Sequence, residues 1–291
     1  MIPKGKAAAK LKIQVLAGGI SHERDISLKS GRRVADALTE YGATVVIREP
    51  DSQLLANIAK DKPDVIWPVL HGASGEDGAL RDILTLTGVP FVGATPEAAR
   101  LAWDKSIAKI LVARAGIQTP PSITLPKETF RELDAESVLN SVTQSIALPV
   151  VVKPIDGNHG RGVFINLYTQ EEVEAAYAVA VEEGSAVLVE RHILGDEHRL
   201  LVVGNQVVAA AKGETVWIVG DGKHTVVELI NLQINSDPRR GEEEDFPLDT
   251  IRLDEHTTSV LELKRQGLNA ESVPEMGRQV LVMRTGNMSM D

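Results

Sequence analysis

With 291 residues, 43% of them hydrophobic and 25% charged, the chain has globular composition and enough length for two or three cores. Its 41 acidic residues outnumber 31 basic ones, and the formal net charge of -10 argues against nucleic acid or anionic membranes as partners. Any anion site must therefore be a local basic pocket, while the absence of cysteine excludes disulfides and thiolate metal sites and fits a cytoplasmic location.

The opening MIPKGKAAAKLKIQVLAGGI is basic, but Lys10, Lys12 and Gln14 interrupt its apolar stretch, so it reads as a tail entering a strand rather than a secretory segment. No run reaches the roughly 20 apolar residues of a membrane span. From Lys12 to about Thr95, KIQVLA, SLKSGRRVADALTEYG, TVVIREP, DVIWPVLHG, EDGALRDILTLTG and PFVGA alternate short apolar runs with helix-period segments. That rhythm predicts a parallel sheet with crossover helices on its faces, Ser27 capping the first helix and Gly42 ending it. Both sharp motifs, GGISHERD and LHGASGEDG, follow strands at the carboxyl edge, where ligands of such sheets gather.

DKSIAKILVARAGIQTPPSITL reads as a helix opened by Lys105 and closed at Gly116, then a turn at Pro120 and Pro121 into a strand, which marks a domain boundary. A polar helix is expected around residues 128 to 144. LPVVVKP is then a strand, a glycine-rich loop follows, and VFINL pairs back on it. Thr169 with Glu172 forms a capping box for the helix QEEVEAAYAVAVEEG. AVLVER, HRLLVV and QVVAAAKG read as strands, the last two joined at Gly204 and Asn205. The final third is less regular and ends on the strand RQVLVMRTG, and no internal repeat is present.

A strand lysine beside a glycine-rich hairpin can hold a nucleotide, because glycines let backbone N–H groups approach phosphate oxygens while the lysine supplies a point charge. Lys153 with Gly157, Asn158, Gly160 and Gly162 fits that description, and so does an ordinary glycine-rich turn with an exposed lysine. Glu190 ends one strand and Glu197 begins the next; such carboxylates can accept from an adenine amino group and a ribose hydroxyl, or stand as solvated strand ends. Glu23 and Asp25 have a local reading too, as N-cap and first-turn residues favoured by the helix dipole. The histidines His22, His192, His198, His224 and His256 lack metal-ligand spacing, and no residue is assigned to a metal.

The ordered motifs AGGISHERDISLKSGRRVA, LHGASGEDGALRDILTLTGVPFVGA and DKSIAKILVARAGIQTP, over about residues 12 to 126, closely resemble D-alanine–D-alanine ligases. Residues 147 to 291 resemble the ATP-grasp region of cyanophycin synthetases, through VVVKPIDGNHGRGV, VLVERHILGDEHRLLVVGNQVVAAAKGE, VGDGKHTVVELI, NSDPRRG, QGLNAESVP and VLVMRTGNMSMD. Both are ATP-grasp carboxylate–amine ligases. The resemblance implies an α/β fold, α+β in its second half. It would consist of a doubly wound parallel-sheet domain over 1–103, a small lid over 104–189 and an incomplete C-terminal lobe over 190–291.

By the same resemblance, Glu23 holds the ammonium of the first D-alanine and His71 lies beside that subsite. Lys105 and Lys153 contact ATP phosphates, Glu190 and Glu197 contact adenine and ribose, and the loop from Gly157 to Gly162 covers the phosphates. His159 and Arg161 stand where a D-alanine ligase carries serines on the substrate side, which puts D-alanine specificity in question and favours the cyanophycin-like pattern. The implied partners are amino-acid substrates and a second copy bound through the N-terminal domain.

ATP-grasp enzymes resemble one another in holding Mg2+ on an acidic residue of one late strand and a Glu-x-Asn pair of the next. Here eight residues follow Met283 and none forms such a pair. The junction near 126–150 and this early stop read as a recombined, engineered or truncated gene. The expectation is weak or no ligation by this chain alone with nucleotide binding partly retained, and robust ADP release with D-alanine and Mg2+ would contradict it. Three readings stand: a D-alanine–D-alanine ligase-like enzyme of peptidoglycan synthesis, a cyanophycin-type ligase, and a catalytically silent nucleotide-binding protein.

Overall fold

The structure, a computed structural model, describes residues 10–21, 23–128, 133–155, 162–213, 215–241, 246, 248, 250–253 and 258–283. The chain forms two compact units, Met1–Thr119 and Pro120–Asp291.

In the first unit β1 (Lys12–Leu16) pairs in parallel with both β2 (Thr44–Arg48) and β3 (Val65–Pro68), giving the order β2-β1-β3. The expected PFVGA strand is reduced to one parallel bridge from Phe91 to Ile66. Successive side chains of a strand point to opposite faces. Ile13 and Val15 therefore join Leu11, Ala35, Ala43 and Val65 on the face covered by α1 (Arg24–Glu40). Leu16 and Ile66 face the other way, packing with Leu54 and Ile58 of α2 (Leu54–Asp61) and Leu84 of α4 (Ala79–Leu86), while α3 is the single turn Ala73–Glu76. Helices on both faces make this sheet doubly wound. Gly31 lets α1 sit against the end of β1, since a Cβ there would lie 2.4 Å from the Ala17 Cβ. The unit closes with α5 (Pro96–Trp103) and α6 (Lys105–Arg114).

Ser27 does not cap α1. The helix starts three residues earlier, with Glu23 at the N-cap position, and Ser27 is a buried residue whose hydroxyl donates to the Val69 carbonyl and accepts from the Gly18 N–H at 2.8 Å. Gly42, at φ 96°, does follow the helix end, where its positive φ needs no Cβ accommodated.

Gln14 shares the apolar face of Leu16 and is 1% exposed, yet neither its amide oxygen nor its nitrogen has a hydrogen-bond partner among the described residues. A buried unpaired amide costs stability that a thioether of similar shape does not. Gln14→Met is expected to stabilise the protein by about 1–2 kcal/mol, read as a higher urea midpoint. A lower midpoint would mean that the amide is satisfied by internal water.

The second unit is built on a four-stranded antiparallel sheet, order β4-β7-β5-β6, from β4 (Ser122–Pro126), β5 (Val150–Pro154), β6 (Phe164–Leu167) and β7 (Ala186–Arg191). Strand β7 runs through the 189/190 boundary of the expected lid. Val150, Val152, Val187 and Val189 pack beneath α7 (Ala135–Ile146) and α8 (Gln170–Ala180), whose Thr169–Glu172 capping box forms as expected. A smaller core gathers Ile218, Leu229, Ile230, Leu263, Val280 and Val282 from β10 (Val216–Val219), α9 (Val226–Gln233), α10 (Thr258–Arg265) and β11 (Gln279–Met283). Between the elements of these two cores in sequence comes the hairpin β8 (His198–Val203) and β9 (Gln206–Lys212), turning at Gly204 with every strand residue exposed.

Candidate functional site

The chemistry-bearing residues fall on two places, one in each unit. In the first, the chain leaves β1 through Gly18 and Gly19, both at positive φ, and turns into α1. The Ser21 hydroxyl donates to the His71 carbonyl at 2.9 Å and accepts from the Glu23 N–H at 3.2 Å, stitching this turn to the one after β3. Gly72, at φ 79°, makes the close approach necessary: a Cβ there would lie 2.9 Å from the Ser21 Cβ and 3.5 Å from a Glu23 carboxylate oxygen. Glu23 occupies the N-cap position of α1 but makes no side-chain cap bond, so its carboxylate is not spent on the helix end. His71 Nδ1 lies 3.6 Å from Glu76 Oε1. Glu23 and His71, 48 positions apart, are thus brought to one place at the carboxyl edge of adjacent strands (71 − 23 = 48). Ser21 and Glu76, which hold them there, carry no sequence signal beyond lying inside the two motifs.

Lys105 opens α6 in the same unit, after Asp104, whose carboxylate accepts from the Ser106 and Ile107 N–H groups. The Ser106 hydroxyl, at 2.6 Å, is the main reason this carboxyl titrates below its ordinary range. Asp25 lies exposed in the first turn of α1, as its local reading has it.

In the second unit, Val151 stands opposite Glu190 and Lys153 opposite Leu188 in the β5–β7 register. Directly opposed residues share a face and so do residues two apart, which puts Lys153 and Glu190 together on the face turned away from the helices. Their Nζ and Oε1 are 2.5 Å apart, with side chains 22% and 11% exposed. A cation and an acceptor are therefore held side by side where the glycine-rich loop leaves β5. Gly162, the described end of that loop, has φ 65°, and a Cβ there would lie 3.1 Å from Pro154 Cγ. Gly157, Asn158, His159, Gly160 and Arg161 lie outside the described residues. Glu197 precedes β8 with its Oε1 3.4 Å from Arg199 Nε.

Among the described residues, no three His, Asp or Glu side chains converge as metal donors. His198 Nδ1 is 3.1 Å from the Asp196 carbonyl, and His22 and His256 lie outside the described residues. His224 belongs to a turn: Asp221 Oδ1 accepts from the Lys223 and His224 N–H groups and Oδ2 is 2.5 Å from His224 Nδ1. The His224 N–H, together with the ring, lowers the Asp221 pKa, and the bond to Asp221 raises that of His224. A raised folded-state value means that the stabilising charge is fully present below the ordinary value near 6.5 and is lost as pH rises through the folded one. Asp221→Asn is expected to bring the His224 midpoint, followed by imidazole NMR, down toward that ordinary value. An unchanged midpoint would discard the pairing.

In comparisons with known proteins the chain is similar to ligases. The family model described as "D-ala D-ala ligase C-terminus" matches residues 111–223, spanning the stretch where the two sequence resemblances meet. The cyanophycin synthetase of Crocosphaera subtropica is 40% identical over 194 residues, 66% of this chain and 21% of that protein. The D-alanine–D-alanine ligase of Moorella thermoacetica is 33% identical over 196 residues, 67% of this chain and 63% of that one. The crystal structure of D-alanine–D-alanine ligase from Bacillus anthracis superposes with a TM-score of 0.53 at 28% identity, covering 65% of this chain and 59% of that chain. A second structure of that ligase, complexed with ATP, gives 0.51 at 28% identity over 65% of this chain and 61% of that one. The chain thus spans about a fifth of this synthetase and under two thirds of these two ligases. No described helix is long and apolar enough to cross a membrane.

Proposed function

We propose that this chain, which has the ATP-grasp fold and resembles both D-alanine–D-alanine ligases and cyanophycin synthetases, is an ATP-dependent carboxylate–amine ligase of the D-alanine–D-alanine kind, serving peptidoglycan precursor synthesis. The observation that carries the reading is the Lys153–Glu190 pair, held on the face of the antiparallel sheet turned away from the helices, at the end of β5 from which the glycine-rich loop leaves. Lys153 and Lys105 would neutralise ATP phosphates, Glu190 would accept from the adenine amino group and Glu197 from the ribose. Gly157, Asn158, Gly160 and Gly162 would offer backbone N–H groups to the phosphates.

The γ-phosphoryl group passes to the carboxylate of one amino acid, giving an acyl phosphate and ADP. The amine of the second attacks the acyl carbon, loses its proton, and inorganic phosphate departs as the amide forms. Glu23 would orient an ammonium and His71 would line that subsite, and His159 and Arg161, standing where a D-alanine ligase carries serines, would contribute to the substrate side. Holding the two amino acids in line supplies much of the rate. Mg2+ would accompany ATP in such chemistry, and the described residues offer it no three-donor set.

The reading carries with it the three-part division 1–103, 104–189 and 190–291, a cytoplasmic location and a dimer through the N-terminal unit. A cyanophycin-type ligase is the second reading, favoured by the 40% identity to a cyanophycin synthetase. Phosphate release with Mg2+ and ATP separates the two: D-alanine supports the first, L-aspartate or L-arginine the second. Stabilisation by ATP without release in any arm would leave a silent nucleotide-binding protein and sink both.

A further inference from the structure

Arg265, the last residue of α10, is the hub of a half-buried polar network joining the two cores of the second unit. Its Nη1 donates to Glu262 Oε1 at 2.8 Å, and its Nε and Nη2 donate to Glu172 Oε1 at 3.3 and 3.2 Å. Nη2 also donates to the Asn166 carbonyl, and the guanidinium lies 5.4 Å from the Tyr168 ring centroid. Asn166 is 1% exposed at φ 58°, and its Nδ2 donates to Glu262 Oε1 at 3.3 Å. Glu172 is shared: its Oε2 accepts from the Tyr168 N–H at 2.7 Å and, in the α8 capping box, from the Thr169 N–H at 3.3 Å. On the other side Gln266, the next residue, bonds both the N–H and the carbonyl of Leu281 in β11.

These contacts converge on β6, the strand that most needs them. It is a four-residue edge strand, joined to β5 by two register pairs, Val150↔Leu167 and Val152↔Phe164, with an irregularity between them. Edge pairing of that length fixes a strand poorly. An arginine fork reaching its main-chain carbonyl, its left-handed Asn166 and the following Tyr168 fixes it from outside the sheet. Strand β6 flanks β5, which carries Lys153.

We infer that Arg265 is a positioning residue for phosphate binding: it ties β6, and through it the Lys153 strand, to the second core. The inference rests on the nucleotide reading above. Its test is equilibrium binding of the non-hydrolysable analogue AMP-PNP and of adenosine to Arg265→Met, Arg265→Lys and Glu172→Gln. Arg265→Met should weaken AMP-PNP about tenfold while leaving adenosine within about twofold, because Glu190 lies on β7, away from β6. Arg265→Lys should rescue little, since a point charge cannot reproduce the fork. Glu172→Gln keeps the capping box and the other guanidinium bonds, so it should weaken AMP-PNP about two- to threefold, and it carries the test if Arg265→Met does not fold. Equal weakening of both ligands, or unchanged AMP-PNP binding, would overturn the inference and leave Arg265 a stabilising residue only. Wild-type protein binding neither ligand would instead remove the nucleotide reading on which the inference stands.

Discussion

Lys153→Met is expected to abolish measurable ATP binding and to destabilise the protein, because it removes the cation 2.5 Å from the Glu190 carboxylate in a nearly buried place. Removing one partner of such a pair costs more than neutralising both. The double variant Lys153→Met with Glu190→Gln should therefore regain most of the lost stability and still fail to bind ATP. Urea unfolding and titration with a non-hydrolysable analogue separate the two effects. ATP affinity of the single variant within threefold of wild type, about 0.7 kcal/mol, would remove Lys153 from the phosphate site.

Glu23→Gln should lower turnover per amino acid, as kcat/KM, about 100-fold, with ATP affinity unchanged. The carboxylate makes no cap bond to α1, so no capping hydrogen bond is lost when its charge goes. What is lost is a charge-assisted bond to an ammonium, which a neutral amide replaces poorly. Ser21 and Gly72 keep the side chain beside His71, and the isosteric amide preserves that packing. An unchanged kcat/KM for every amino acid that supports phosphate release would return Glu23 to its local role at the helix start. The two predictions probe different units of the chain, one for nucleotide and one for amino acid.

Much of the architecture was legible in residue order. KIQVL, TVVIR and VIWP are short apolar runs separated by helix-period segments, and they form the parallel sheet that this rhythm implies. Thr169 and Glu172 form their capping box, and Gly204 turns the β8–β9 hairpin, because these signals act within three or four residues. A second capping box, Thr225 with Glu228, was equally legible and starts α9 in the part that reads as less regular. Other features were hidden. Leu54–Asp61 and Pro96–Trp103 are eight-residue helices outside the strand–helix rhythm, and Ser27 looks like a cap because serine suits one, yet Glu23 takes the cap position while Ser27 bonds to the Val69 carbonyl. The candidate site divides the same way. The motif residues Glu23, His71, Lys153 and Glu190 could be named singly, while the partners Ser21, Glu76 and Arg265 could not.

By itself the sequence determined most of the elements and their kind, through the periods of 2 and 3.6 residues, the glycines that accept positive φ and the local caps. It also determined the net negative charge, against which a basic pocket stands out. Only the tertiary structure decided which side chains meet: Lys153 with Glu190 across 37 positions, and Arg265 with Asn166 across 99. The reason is that strand register and the choice of face follow from burying Val150, Val152, Val187 and Val189 together against α7 and α8. That long-range packing turns Lys153 and Glu190 to the opposite face as its consequence.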